Sequence, residues 1–382
     1  MNPFDSAARR LVSGAPPGSP PQVRPPAGVV LAARTPWFDL AGCAGHRTVR
    51  RQDGQRVGVD RMTLGTHHDL ASVTKIIATT TALMRLVSDG LVDLDTRVHR
   101  HLPRFAGHGR DDVTVRDLLL HRAGLWEWHP LYIAADDPEA AHRFAEELPP
   151  RYRPRTERHY SDLGFILLGR VIATACGVEL DQAIAELVTI PFGLHATRYA
   201  APAGDDVATG AFDDRIEMTM LDTGHPYPVP HRSADFTRWR RHSVHGQVAD
   251  GNAFHALGGT SGHAGLFSTV PDLLRYAETL SRYREHDQLV RPEIAEEFFA
   301  AGPDDQQALG FRRYPLRVAG RTLTVLGHPG YVGCAVGFVP GHGIALALAA
   351  NRLLVDGDPV PGDALWQELL TVTAAHIRHT RG

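Results

Sequence analysis

Ser72 and Lys75 stand three residues apart in "DLASVTKIIATTT" (69–81), and Lys75 is the only lysine among the 40 lysine and arginine residues of the chain. Residues three apart on a helix share a face, with Cβ atoms about 5–6 Å apart. A serine hydroxyl becomes an effective nucleophile when an adjacent base takes its proton. Lysine can be that base, or part of it, because burial moves its pKa, whereas arginine stays charged. Ser72, at the start of a helical pattern, also lies where free backbone N–H groups and the helix dipole favour developing negative charge. The pair therefore points to acyl transfer through a serine. The alternative is an exposed lysine in a first helical turn, but on a surface arginine would serve equally well, as it does everywhere else in this chain.

Other chemistries find less support. The densest histidine set, His242, His245, His255 and His263, has spacings of three, ten and eight, and H-E-x-x-H does not occur, so no metal is expected. "GGTSGHAG" (258–265) lacks the spacing and the lysine of a phosphate loop, and no G-x-S-x-G elbow is present. No cofactor is expected. Cys43, Cys176 and Cys334 lie far apart without a C-x-x-C pair, which fits a reducing compartment. A net charge of -3 with scattered, mixed charges gives no electrostatic reason to expect nucleic acid or a membrane surface as partner. The first residues lack an apolar signal core and no run approaches a membrane span, so a cytoplasmic protein is expected.

The elements that must position this chemistry can be read from periodicity. Residues 1–26 are rich in proline and glycine and are expected to be irregular, with room for a short helix around Phe4–Val12. "AGVVLAART" (27–35) and "WFDLAGCAG" (37–45) read as strands. From Ser72 the apolar spacing predicts a helix that Gly90 stops. Further helices are expected over 114–125, 138–148, 165–177, 180–193, 270–283, 291–301 and 362–380, with a loop-rich stretch at 195–255. Four strand patterns fill 310–351. Strands at both chain ends with helices between predict an α+β fold. Its central antiparallel sheet is built from both ends (27–98 and 265–382), and a mainly helical, loop-rich lobe (99–264) is inserted between them.

Three motifs in order make the chain resemble the serine β-lactamase and penicillin-binding-protein superfamily, most closely class C β-lactamase-like hydrolases, D-alanyl-D-alanine carboxypeptidases and family VIII esterases. They are Ser72-x-x-Lys75, "YSDLG" (160–164) at the family's Tyr-x-Asn position, and "HPG" (328–330) at its Lys/His-Thr-Gly position. The resemblance runs from about residue 27 to 377 and implies a β-lactamase-like fold. It implies that Tyr160 faces Ser72 and shuttles its proton; a buried aromatic with a satisfied hydroxyl is the plain alternative. Asp162 departs from the usual asparagine, and a carboxylate there would keep Lys75 protonated, favouring Tyr160 as the base. The resemblance also implies an oxyanion hole from the backbone N–H groups of Ser72 and Tyr331, with Gly330 allowing close approach. A tight β-turn is the other reading of H-P-G-Y. His328, mostly neutral near pH 7, replaces a cation that penicillin-recognising enzymes set opposite a carboxylate, so neutral esters or amides are expected to be better accommodated. Asp162, His328, Gly330 and Trp126 are the candidate substrate contacts; Trp126 and Trp128 can line an acyl pocket or pack between lobes.

The expectation is a serine hydrolase that works through an acyl-enzyme on a small ester or amide. Acyl transfer to an amine or alcohol acceptor, β-lactamase or D-Ala-D-Ala carboxypeptidase activity, and a non-catalytic binding homologue are the alternatives.

Overall fold

The computed structural model describes residues 2–14, 20, 22–52, 55–202, 204, 206–318 and 320–381. At its centre is a six-stranded antiparallel sheet of β1 (Gly28–Arg34), β2 (Asp39–Gly45), β3 (Arg312–Val318), β4 (Arg321–Pro329), β5 (Ala335–Val339) and β6 (Ile344–Ala350). The spatial order is β3-β4-β5-β6-β1-β2, so the first strand of the chain pairs with the last, Val29 opposite Ala350. Around the sheet lie helices α1 (Pro3–Ser13), α2 (Thr81–Ser88), α3 (Asp162–Cys176), α4 (Val270–Ser281) and α5 (Gly362–Arg381).

Period-two alternation in β1 explains the layering. Val29, Leu31 and Ala33 join a core with Phe4 and Leu11 of α1 and Leu365, Trp366 and Leu369 of α5. Val30 and Ala32 face the opposite way, into the large core that includes Leu273 and Tyr276 of α4 and extends into the helical lobe. β6 is covered on both faces, which is why all seven of its residues are apolar.

One expectation is sharpened and two need correction. The short helix allowed around Phe4–Val12 spans Pro3–Ser13: the Asn2 side chain accepts from the Phe4 N–H at 2.9 Å, Pro3 opens the helix, and its apolar stripe packs on the sheet. The helix expected over 114–125 is only Val115–Leu119, closed at its start by a Thr114–Asp117 capping box. It cannot continue because His121 adopts a left-handed φ of +55°.

The second correction concerns the segment around Ser72. It is not a regular helix from Ser72 but a 3₁₀ turn (Ala71–Val73), a π-helical stretch (Lys75–Thr80) and then α2. The Thr80 and Thr81 hydroxyls donate five residues back, to the carbonyls of Lys75 (2.9 Å) and Ile76 (2.8 Å), satisfying acceptors in the widened turn.

Candidate active site

Ala71, one residue before Ser72, has φ +44°, a conformation that strains a non-glycine residue by about 1–3 kcal/mol. Asp69 holds it there: its Oδ1 accepts from the Ala71 N–H at 2.8 Å and its Oδ2 from the Ala249 N–H at 2.7 Å. From this bend Ser72 faces a cavity of about 690 Å³, which Tyr160, Asp162 and Tyr331 also line.

Lys75 is fully buried, and its Nζ donates to Ser72 Oγ at 2.8 Å and to the His263 carbonyl at 3.3 Å. It forms an ion pair with Asp162 at 2.7 Å, and its Nζ lies 5.1 Å from the centre of the Tyr160 ring. Burial alone would push the ammonium pKa down; the Asp162 carboxylate and Tyr160 outweigh it and hold the pKa above the ordinary lysine value. Lys75 is therefore a cation at neutral pH. Because it donates to Ser72 Oγ, the hydroxyl proton of Ser72 is left free to move elsewhere.

Tyr160 precedes α3, whose N-cap is Ser161: its Oγ accepts from the Gly164 N–H at 3.1 Å. The Tyr160 ring lies between Lys75 Nζ and the Arg312 guanidinium, each 5.1 Å from its centre. His328 on β4 stacks beside it at 5.7 Å, and His121 lies at 4.7 Å. Both histidines are buried and held well below the usual histidine pKa, by burial first and by Lys75 and Arg312 after it. His328 is thus neutral, with Nδ1 against the Pro329 carbonyl at 2.7 Å and Nε2 enclosed without a partner.

Gly330 runs so close to the nucleophile segment that an added Cβ would lie 2.3 Å from the Leu70 carbonyl oxygen. The next residue, Tyr331, is 53 % exposed at the cavity edge. Arg352 fixes it from behind, donating from Nε to the Tyr331 carbonyl at 2.7 Å with its guanidinium 4.9 Å from the ring centre.

Of the residues singled out in the sequence, Ser72, Lys75, Tyr160, Asp162, His328, Gly330 and Tyr331 come together. Asp162 bonds the lysine and also lines the cavity. His328 acts on the Tyr160 face more than on the cavity. Trp126 is not a cavity wall: its Nε1 donates to the Pro149 carbonyl at 3.1 Å and Arg151 stacks on it at 4.8 Å, whereas Trp128 lines the cavity. Among the described residues no group of His, Cys, Asp and Glu is arranged to hold a metal ion, and no single helix is long and apolar enough to cross a membrane.

Sequence reasoning missed Arg312, His121, Asp69 and His263. Arg312 supplies a fixed cation at the end of the site where the position-328 histidine had suggested none. Its one sequence signal is its place in "GFRRY" at the start of a strand, since only the pairing Arg312 opposite Gly327 puts it beside His328.

Comparison with known proteins gives the fold and the family. A curated Escherichia coli K12 protein named "Putative D-alanyl-D-alanine carboxypeptidase" is 28 % identical over 314 residues, 76 % of this chain and 70 % of that one. Among solved structures, a penicillin-binding-protein homologue from Caulobacter crescentus superposes with TM-score 0.67 at 20 % identity, covering 98 % of each chain. A class C β-lactamase from Rhodobacter sphaeroides gives 0.61 at 17 % identity, covering 97 % of each. EstCE1, described as a hydrolase with promiscuous acyltransferase activity, gives 0.64 at 22 %, covering 98 % of this chain and 99 % of that one. The Beta-lactamase family model matches residues 29–370, nearly the whole length, so this chain belongs to the Beta-lactamase family of serine hydrolases.

Proposed function

We propose that the protein hydrolyses an ester or amide of a small molecule through an acyl-enzyme on Ser72. The observation that carries this reading is the buried Lys75 ammonium, 2.8 Å from Ser72 Oγ and 2.7 Å from Asp162. Ser72 attacks the carbonyl carbon, and its proton passes to the phenolate oxygen of ionised Tyr160, which then returns it to the leaving group. Lys75 and Arg312 stabilise negative charge arising between them. The oxyanion forms toward the backbone N–H groups of Ser72 and Tyr331, whose segments Gly330 brings together. Water admitted by the same route cleaves the acyl-enzyme. A cavity of about 690 Å³ has room for a second small molecule beside an acyl group, which supports transfer to an amine or alcohol as the second reading. The activity that EstCE1's title describes is of that kind.

The test compares wild type with Ser72→Ala on a short-chain p-nitrophenyl ester and on a fluorophosphonate probe, following product and intact mass. Turnover and a single adduct in wild type, both absent from Ser72→Ala, are expected. Wild type that gives neither sinks the proposal. Adduct without turnover, relieved by an added amine or alcohol, marks the transferase.

A further inference from the structure

The cavity beside Ser72 is electrically lopsided. Seven of its lining residues are carboxylic acids, against a single arginine and no lysine. The arginine, Arg215, is already bonded to Asp213 at 2.6 Å. Most of the nearby acids are matched too. Asp162 has Lys75; Asp214 is bonded by Arg240 at 2.6 Å and His255 at 3.0 Å; Asp250 is bonded by His263 at 3.0 Å.

Glu217 is different. It projects from the helix Arg215–Thr223, and no ion pair accompanies it among the described residues. One carboxylate oxygen accepts the Gly251 N–H at 3.1 Å; the other, Oε1, is enclosed without a hydrogen bond of ordinary geometry, although the Tyr132 hydroxyl faces it. Arg240 acts on it only from its place on Asp214. Burial, and after it the Asp250 carboxylate, push the Glu217 pKa up. The carboxyl group has no cation partner in the cavity wall, and an ammonium ion placed beside it would favour its charged form. Arg312 packs on the Tyr160 ring and does not line the cavity, so it leaves the acidic wall without a counter-charge.

Resting on the serine-hydrolase reading above, we propose that the acyl part of the substrate carries an ammonium group, received by Glu217 at the acidic end of the cavity while Ser72 attacks the acyl carbonyl. The substrate class is then an aminoacyl ester or amide. An ammonium ion supplies hydrogen-bond donors and the missing charge together, whereas a carboxylate in the same place would meet an acidic wall.

The experiment holds the leaving group constant and varies acyl charge. Methyl esters of leucine and of 6-aminohexanoic acid are compared with their uncharged counterparts, methyl 4-methylpentanoate and methyl heptanoate, at low ionic strength. At least one ammonium ester is expected to exceed its neutral partner in kcat/KM by about tenfold or more, with the advantage shrinking in high salt. In Glu217→Gln the ratio should fall toward one; using a ratio cancels any general loss of activity. A ratio at or below one for both pairs in wild type, or a ratio unchanged in Glu217→Gln, overturns the proposal. If no methyl ester turns over but Ser72 is labelled by fluorophosphonate, protection against labelling decides. 4-Methylpentylamine must then protect better than 4-methylpentanol, and equal protection overturns the proposal. Failure of Ser72 to label at all is the separate result that removes the hydrolase reading, and the substrate assignment with it.

Discussion

Two buried cation–carboxylate pairs in this molecule look alike and do different work. Arg240 and Asp214, 2.6 Å apart, are each about 3 % exposed. Lys75 and Asp162, 2.7 Å apart, are 0 % and 15 % exposed. In the first, the guanidinium spends its donors on Asp214 and on the carbonyls of Val248 and Ala249, and stacks 4.1 Å from the centre of the Phe254 ring. Every direction is occupied, and the result is a rivet through the loop-rich stretch. In the second, a compact ammonium touches a serine hydroxyl that opens on a cavity. Burial of an ion pair does not make a catalytic site; a reactive neighbour with access to substrate does.

Breaking the second pair should have the largest effect. Ser72→Ala is expected to lower kcat by about 10⁴-fold or more, measured on a p-nitrophenyl ester. Lys75→Arg keeps the charge but replaces a point donor with a broad fork, and is expected to cost about 10²-fold or more in kcat/KM. If Lys75→Arg retains full activity, the distinction between the two pairs disappears.

The converse exchange, Arg240→Lys, should act on stability. Losing the fork leaves Asp214 and two carbonyls under-bonded, and a loss of about 2–4 kcal/mol is expected in denaturant unfolding, with kcat affected far less. The acid side of the stability profile sharpens the same point. Burial works to raise Asp214, but His255 and Arg240 outweigh it and bring its pKa down to about 2. A depressed carboxylate contributes stability that is present above its unfolded pKa and lost as pH falls through the folded one. Thermal stability should therefore hold to about pH 4 and drop between there and pH 2, less steeply in Asp214→Asn. The smallest effect separates two tryptophans: Trp128→Ala, at the cavity wall, should shift KM a few-fold in ester hydrolysis, whereas Trp126→Ala should leave KM unchanged.

Much of the architecture was legible because it is written in local rules. Short apolar runs bounded by turn residues marked β1, β2 and β6 as strands, and the structure shows that β6 is covered on both sides. Ser72 and Lys75 declared themselves by residue type and spacing. The π-helical turn over 75–80 was not legible, because it depends on where two threonine hydroxyls find acceptors. The reversal at His121 was hidden for a similar reason: its ring accepts the Ser161 N–H at 3.0 Å, forty residues away. Trp126 and Trp128 are two residues apart on either side of Glu127, and only packing decides which one meets the cavity.

By itself the sequence determined that a serine and the chain's one lysine would stand three residues apart, and that a tyrosine and a His-Pro-Gly strand would follow in order. These depend on residue type, spacing and periodicity, which are fixed within a few turns of chain. Tertiary structure decided what those groups do. It paired Lys75 with Asp162, so the lysine is a held cation rather than a free base; it set Arg312 against Tyr160; and it left Glu217 without a cation partner in the wall of the cavity that Ser72 faces. Each of these outcomes depends on burial and on Coulomb interactions between residues brought together only by folding, where removal from water makes a neighbouring charge count for far more than it does in an open chain.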